Sequence, residues 1–175
     1  MANYIKGNLL NIFVSKKVGN ADPSWVYFGY TQSSGLTISN SLQEISSKDH
    51  GNYNDRILQS STWSLNNEMF ATIENLNLAI SMAQSGEEYS FAFARVGEPE
   101  SAGVTGLKPV TGVADTSVWT IGQDFVRYGN AIVSNAAITS NSGEVGSVSI
   151  EATGIGGLSS TAQTGDRLKS YVVTA

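Results

Sequence analysis

Apolar and polar residues alternate along most of this 175-residue chain, a period of two that is typical of β-strands with one buried face. The clearest run is RILQSSTWSL, residues 56–65, in which Ser61, Trp63 and Leu65 share one face. The same pattern predicts strands in residues 7–17, 25–40, 87–96, 118–129, 131–140 and 145–154, the second with a bulge at Gly35. A hairpin turn is expected at SNSGE, residues 140–144.

One segment, about residues 72–85, has the period of a helix instead. Its apolar residues recur at spacings of three and four and are Ile73, Leu76, Ile80 and Ala83. Thr72 can cap the start, and Gly86 suits the left-handed residue that follows a helix. We expect one amphipathic helix that packs these apolar residues on the core.

Three other segments show no sustained period. They are a long loop at 39–56, a projecting glycine-rich loop at about 97–116, and a C-terminal arm at about 159–175 that could add a strand. With 18 glycines, 3 prolines and a 41 % hydrophobic fraction, the composition favours strands and turns over helices. We therefore predict a single mainly β domain spanning residues 1–175, with one helix.

The charge and residue usage exclude several kinds of protein. A formal charge of −5 disfavours direct capture of nucleic acid or an anionic membrane, which needs clustered Lys and Arg. No apolar run approaches the roughly 20 residues that span a bilayer, and no secretory signal pattern opens the chain. The absence of cysteine removes disulfides, thiolate nucleophiles and Cys-based zinc sites. We expect a protein made in the cytosol.

The segment SSKDHGNYNDR, residues 46–56, holds the one histidine of the chain. Adjacent Asp49 and His50 direct their side chains apart in most backbone conformations, and no G-x-S-x-G motif occurs, so catalysis is not expected. Oxygen donors at Asp49, Asn52, Asn54 and Asp55 make calcium the better metal candidate, yet the EF-hand spacing is missing. On these grounds the segment is a solvated loop, and we expect no enzyme, metal or cofactor.

Two further features invite a functional interpretation. Residues 154–157, GIGG, lack the lysine and the following helix of a phosphate loop, and suit a strand end where backbones approach closely. Trp25, Trp63 and Trp119 lie in strand patterns, where a core or interface role is commoner than a stacking platform for sugars or bases.

The order of segments around the single helix resembles the TP901-1-like major tail proteins, the major tail tube proteins of long-tailed bacteriophages. The resemblance rests on GNLLNIFV and YFGYTQSSGLTISN in the first half, with Glu44, SSKD, Gly51 and the TWSL strand. In the second half it rests on VRYGNAIVSNAAITSNSGEVGSVSIEATGIGGL. It covers roughly residues 4 to 158, and the loop at 97–116 has no place in the family pattern.

This resemblance implies a β-sandwich or partly rolled barrel with a flanking helix. Such proteins form hexameric rings that stack into the hollow tail tube of the virion. The tube is assembled in the host cytoplasm with initiator or baseplate and terminator proteins, and the DNA genome passes through it. Specific DNA binding is not implied, because an acidic wall repels DNA.

In that family the long loop between the early strands contacts the neighbouring ring, and residues 46–56 occupy the matching place. The resemblance therefore implies a ring-stacking role for Ser47, Lys48, Asp49, His50, Asn52, Tyr53, Asp55 and Arg56. Their mixed charges suit a wet, complementary interface.

Two alternatives stay open at this point. The tube of a contractile tail, a tail-like bacteriocin or a type VI secretion system shares the fold and would need a sheath partner. A carbohydrate-binding β-sandwich would instead expose the tryptophans as platforms and would be a monomer.

Overall fold

The computed structural model describes residues 7, 10–18, 24–28, 31–45, 55–96, 121–160 and 171–173. They form eight strands and one helix. In chain order these are β1 Leu10–Val18, β2 Ser24–Tyr27, β3 Thr31–Ile45, β4 Asp55–Phe70, α1 Ile73–Ser85, β5 Glu88–Val96, β6 Ile121–Thr139, β7 Ser147–Ser159 and β8 Tyr171–Val173.

All eight strands belong to one sheet, in the order β2-β1-β5-β6-β7-β4-β3, with β8 parallel to β1 and every other pairing antiparallel. Although four strands separate β1 from β3 in this order, the Ser34 hydroxyl of β3 donates a hydrogen bond to the Leu10 carbonyl of β1 at 3.1 Å. The sheet therefore curls until its two sides meet. This is the partly rolled barrel, mainly β with one helix, that the sequence predicted.

The main core fills the inside of this curl. Its buried side chains come from β1, β4, β5, β6, β7, α1 and the residue after β2, and include Ile12, Phe28, Trp63, Met69, Met82, Tyr89, Phe91, Val133 and Val148. A second, smaller cluster of Phe13, Ala92 and Ala94 lies on the opposite face of β1 and β5 and is covered by Trp25 and Tyr128. Strand β5 is thus buried on both faces, whereas its alternating pattern predicted one buried face.

Helix α1 has the predicted bounds and caps, and two of the four predicted apolar residues, Leu76 and Ala83, pack against the core. The Asn75 amide donates to Thr72 Oγ1 at 3.2 Å, and Gly86 adopts a left-handed φ of 61°. The buried residues are Asn75, Ala79 and Met82, whereas Ile73 is 74 % exposed. The prediction that Ile73 and Ile80 pack on the core was wrong, because the helix is rotated so that Asn75 can donate its side-chain NH₂ to the Phe70 carbonyl at 3.1 Å.

The strands extend further than the sequence predicted. Residues 39–45 and 55–56, placed in the long loop, belong to β3 and β4, so the segment between these strands is 46–54. In the pairing of β3 with β4 the register shifts between Thr31 and Ser33 and between Ser41 and Leu42, so the bulge predicted at Gly35 is not there. Strand β6 runs without interruption through Gly129, where two strands were predicted.

The turn after β6 and residues 171–173 of the C-terminal arm are described, so two more predictions can be checked. Strand β6 passes to β7 through the predicted turn, in which the Glu144 amide donates to the Asn141 carbonyl at 3.2 Å. Residues 171–173 pair with β1, the extra strand that the sequence left open. The loop at 97–116 lies outside the described residues.

Helix α1 is too short to cross a bilayer, and the described part of the chain offers no other candidate.

Candidate assembly interface

Strands β3 and β4 continue as a two-stranded hairpin beyond the rest of the sheet. Strand β7 pairs with β4 only between Ser64 and Phe70, whereas β3 pairs with β4 over its whole length. Residues 37–45 and 55–62, here called the arm, are exposed in every position. Because an isolated two-stranded ribbon is marginally stable in water, this arm is poorly supported in a single copy.

Trp63 fixes the root of the arm. Its side chain is 5 % exposed, and its indole N–H donates to the Gly156 carbonyl at 2.9 Å. The ring lies against Gly129 of β6 and Gly154 of β7, where any Cβ atom would overlap it. Glycine at both positions therefore allows β4 to pack closely on β6 and β7 at the point where the arm leaves the barrel.

One side of the arm carries three exposed apolar side chains. Leu42 and Leu58 are register partners, and Ile38 is the partner of Trp63. These side chains share the side of the hairpin that continues the core face, and are 56 %, 54 % and 58 % exposed for Ile38, Leu42 and Leu58. The polar pair of Asn40 and Ser61 lies on the same side between them. We call Ile38, Leu42 and Leu58 the apolar arm face.

The end of the arm carries an exposed ion pair. Arg56 donates from Nη2 to Glu44 Oε1 at 2.8 Å and from Nε to the same oxygen at 3.2 Å, and both side chains are more than half exposed. An exposed pair of this kind contributes about 0.2–1 kcal/mol. It places Arg56 and Asp55, two of the predicted stacking residues, where the two strands end.

The other predicted stacking residues, Ser47, Lys48, Asp49, His50, Asn52 and Tyr53, lie outside the described residues, as does Asn54 of the calcium hypothesis. Where the chain is described, no group of three or more His, Asp or Glu side chains could hold a metal ion.

In the middle of β3, β4 and β7 the outer side of the sheet, opposite the core, is polar, whereas Ile45, Ile57 and Phe70 lie on the same side nearer the strand ends. We call this surface the polar face; it consists of Thr37, Ser39, Ser41, Ser60, Thr62, Ser64, Asn66, Glu68, Ser149, Glu151 and Thr153. Most of its side chains are short hydroxyls and amides, so no long side chain projects from this part of the sheet except the two glutamates. Its charged residues are Glu68 and Glu151, both acidic.

The comparison with known proteins gives a match in fold. No protein-family profile and no curated protein matches the chain. Among solved structures, the tail of an empty gene transfer agent particle, refined with C6 symmetry, matches 91 % of this chain and 100 % of its own, with 12 % identity and a TM-score of 0.62. The chain has the fold of this tail protein.

Two more structures agree with that match. A chain in the virion of a native gene transfer agent particle matches with 13 % identity over 91 % of this chain and 100 % of its own, at a TM-score of 0.61. The SPP1 tail tube matches with 15 % identity over 87 % of this chain and 77 % of its own, at a TM-score of 0.59. The mainly β tail tube fold is confirmed, and membership of the TP901-1-like family stays a prediction.

The tryptophans and the glycine segment of this tail tube fold have structural roles. Trp63 is buried, and Trp25 is half-buried against Tyr128, with 5.6 Å between ring centroids. Neither offers the open ring face of a sugar platform, and Trp119 lies outside the described residues. Gly154 belongs to β7, which continues to Ser159, so the strand end predicted at residues 154–157 was wrong. The close neighbour of Gly154 is the indole ring of Trp63, not another backbone.

Of the apolar arm face, Leu42 fell in the predicted loop at 39–56, whereas Ile38 and Leu58 fell in the predicted strands at 25–40 and 56–65, so the three were not recognised as one face. A signal was nevertheless present: Leu42 and Ile45 precede the polar segment, and Ile57 and Leu58 follow it. Apolar residues placed on both sides of a polar loop are a hairpin pattern.

Proposed function

We propose that this chain is a structural virion protein that assembles into hexameric rings stacked as a hollow tail tube, through which a DNA genome passes. The observation that carries the proposal is the match along 91 % of the chain to the whole length of a tail protein refined with C6 symmetry. Two further tail structures with the same fold support it.

The edges of the sheet support ring formation. Strand β3 ends the sheet on one side, and no described strand pairs with its outer edge along the fifteen residues from Thr31 to Ile45. A long free edge is prone to pair with another chain. Pairing between neighbouring copies around a closed ring leaves no such edge exposed.

Residues 46–56 form the ring-stacking loop in this proposal. Ser47, Lys48, Asp49, His50, Asn52 and Tyr53 follow an arm that projects beyond the barrel, and the exposed pair of Arg56 with Glu44 lies at the base of the loop. The described end of the arm, at Ile45 and Asp55, is exposed, which favours a contact between this part of the chain and the next ring.

The polar face lines the lumen in this proposal. It offers Ser, Thr and Asn side chains with two glutamates and no lysine or arginine, so a DNA backbone finds no cation to bind. A ring of six copies carries a formal charge of about −30, six times the −5 of one chain. DNA is repelled from such a wall and slides along it. The remaining partners are the initiator or baseplate and terminator proteins of the tail, met in the host cytoplasm.

Sedimentation velocity with light scattering across a protein concentration series tests the assembly. We expect particles of about 111 kDa, six times the 18.5 kDa of one chain, and larger stacks of that unit. A species that stays at the mass of one chain at every concentration, with or without an added tail initiator complex, contradicts the proposal.

Deletion of residues 48–55 tests the stacking loop. We expect the far-UV circular dichroism spectrum of the fold to persist and tubes to be lost. The matched control replaces residues 48–54 by Gly and Ser. It keeps the length of the link between β3 and β4 and removes only the side chains of the loop. Tubes of normal length from both variants would show that this loop does not stack the rings.

A further inference from the structure

The arm has two free edges. The outer edge of β3 is one of them. The other is the outer edge of β4 between residues 55 and 62, because β7 pairs with β4 only from Ser64 onwards and no other described strand pairs with it there. A free edge offers a row of backbone N–H and C=O groups to any extended chain. Two equivalent free edges would let strands add to the arm on both sides.

Strand β4 contains one extra residue within the arm. Ser41 pairs with Ser60 and Leu42 pairs with Leu58, so Gln59 has no register partner on β3. Two residues of β4 therefore stand opposite one residue of β3, which is the arrangement of a β-bulge. The Ser41 hydroxyl donates to Gln59 Oε1 at 3.2 Å, which joins the extra residue to the opposite strand.

This bulge interrupts the outer edge of β4. The backbone groups of a strand point alternately towards its two neighbours, so one extra residue reverses the alternation. A regular strand laid along this edge can match the four residues 55–58 or the three residues 60–62, but not both runs. Both runs are shorter than the usual strand of about five to six residues. A bulge also bends and twists its strand, which turns the edge away from a straight partner.

The outer edge of β3 is regular over the same region. Each of the thirteen residues from Ser33 to Ile45 has a register partner on β4, so no extra residue breaks the alternation of β3 there. Gln32, the extra residue of β3 in this pairing, lies near the start of the strand and outside the arm. The two edges of the arm therefore differ, because only the edge of β3 can match a long regular strand.

The sequence of β4 gives this edge no other protection. Free edges in monomeric proteins are commonly protected by lysine, by proline or by bulges. The six residues from Ile57 to Thr62 include no charged residue, proline or glycine, and all six are exposed. Uncharged segments of six or seven residues without proline are the ones that assemble into cross-β structure. Within this segment the bulge alone opposes pairing with another chain.

We propose that the bulge at Gln59 blocks strand addition along β4 and leaves β3 as the edge of the arm through which copies pair. This inference rests on the proposed ring and adds a control on its assembly. Arms with two usable edges would join into open ribbons, whereas one usable edge limits each arm to one added strand.

Deletion of Gln59 removes the bulge and little else. Leu58 and Ser60 become neighbours opposite Leu42 and Ser41, so the other register pairs and the side of each remaining side chain are kept. The deletion restores a continuous edge of seven residues, 55–58 and 60–62. In sedimentation velocity it should form larger, thioflavin T-binding species from a protein concentration about tenfold lower than the unmodified chain, since each added cross-strand pair favours association.

Two variants separate the bulge from the glutamine side chain. Gln59→Ala keeps the extra residue and is the matched control, so it should sediment like the unmodified chain. Ser61→Lys, added to the deletion, places a charge in the middle of the restored edge and should return the protein to single chains. The same association from Gln59→Ala as from the deletion would overturn the inference, because the side chain and not the bulge would then be responsible.

The outcomes also separate this inference from the proposed function. A Gln59 deletion that stays a single chain wherever the unmodified protein does would overturn the role of the bulge and leave the tube intact. Unmodified protein that forms no rings or tubes would overturn the proposed function, whereas association of the deletion variant would still support the blocking of β4.

A second pair of variants decides the matter if the deletion loses the circular dichroism spectrum of the fold. Asn40 of β3 and Ser61 of β4 are exposed register partners in the arm. Asn40→Lys should raise the protein concentration needed for rings and tubes about tenfold, because it places a charge on the pairing edge, whereas Ser61→Lys should leave that concentration unchanged. Equal effects of the two lysines would overturn the inference.

Discussion

The close packing of Trp63 on Gly154 predicts the effect of adding one methyl group. In Gly154→Ala the new Cβ would overlap the indole, which is buried and whose N–H is bound to the Gly156 carbonyl. Either the ring or strand β7 must therefore shift to make room for the methyl group. We expect the arm root to loosen, because Trp63 is the last core residue of β4 before the arm.

The expected magnitude follows from two opposing effects. Overpacking a core by one methyl group costs about 1–3 kcal/mol of the free energy of unfolding. Replacing Gly by Ala at an ordinary φ stabilises by about 0.4–1 kcal/mol, because the unfolded chain loses freedom. The net loss for Gly154→Ala is therefore about 1–2 kcal/mol. Once Trp63→Leu has removed the indole, the same methyl group should be neutral or stabilising.

Urea unfolding followed by far-UV circular dichroism measures this coupling, at a protein concentration where sedimentation shows single chains. The double-mutant cycle of Gly154→Ala with Trp63→Leu should give an interaction free energy of about 2 kcal/mol. Gly157→Ala is the matched control, since nothing lies near its Cβ position. Equal costs of Gly154→Ala in both backgrounds would refute the packing argument.

The remaining predictions concern the helix cap and the polar face. Thr72→Ala should lower the free energy of unfolding by about 1 kcal/mol because the helix loses its N-cap acceptor, while Thr72→Ser should not; urea midpoints distinguish them. Reversing Glu68 and Glu151 to lysine adds about 24 charges to a ring, six times four, and should make tubes bind DNA in a salt-dependent way in a filter-binding assay. The matched reversal of Glu74 and Glu87, outside the polar face, should bind DNA clearly less; equal binding by both variants would contradict the lumen assignment.

Helix α1 shows which features of an element could be predicted from the sequence pattern and which could not. Its bounds were predictable because Thr72 and Gly86 act locally through the backbone at each end. Its buried face was predicted in part. Leu76 and Ala83 pack against the core as expected, whereas Asn75, a polar residue that the apolar pattern ignores, is buried with its side-chain NH₂ bound to the Phe70 carbonyl. The pattern also treated Ile73 as a core residue, although it is exposed.

The arm shows why the outer part of β3, residues 41–45, was missed. Alternation reveals a strand only when one face is buried, and residues 37–45 are exposed on both faces in a single copy. The register shift between Ser41 and Leu42 also breaks the period of two. By contrast, Trp63 and Leu65 were assigned to one face correctly because that face meets the core. Sequence periodicity records burial within a chain more clearly than burial between chains.

Negative-stain electron microscopy of the purified protein across a concentration series tests the central claim most directly. The account predicts rings with sixfold symmetry in end views and hollow tubes with a regular axial repeat in side views. Compact single particles at every concentration, including in the presence of a tail initiator complex, would contradict it.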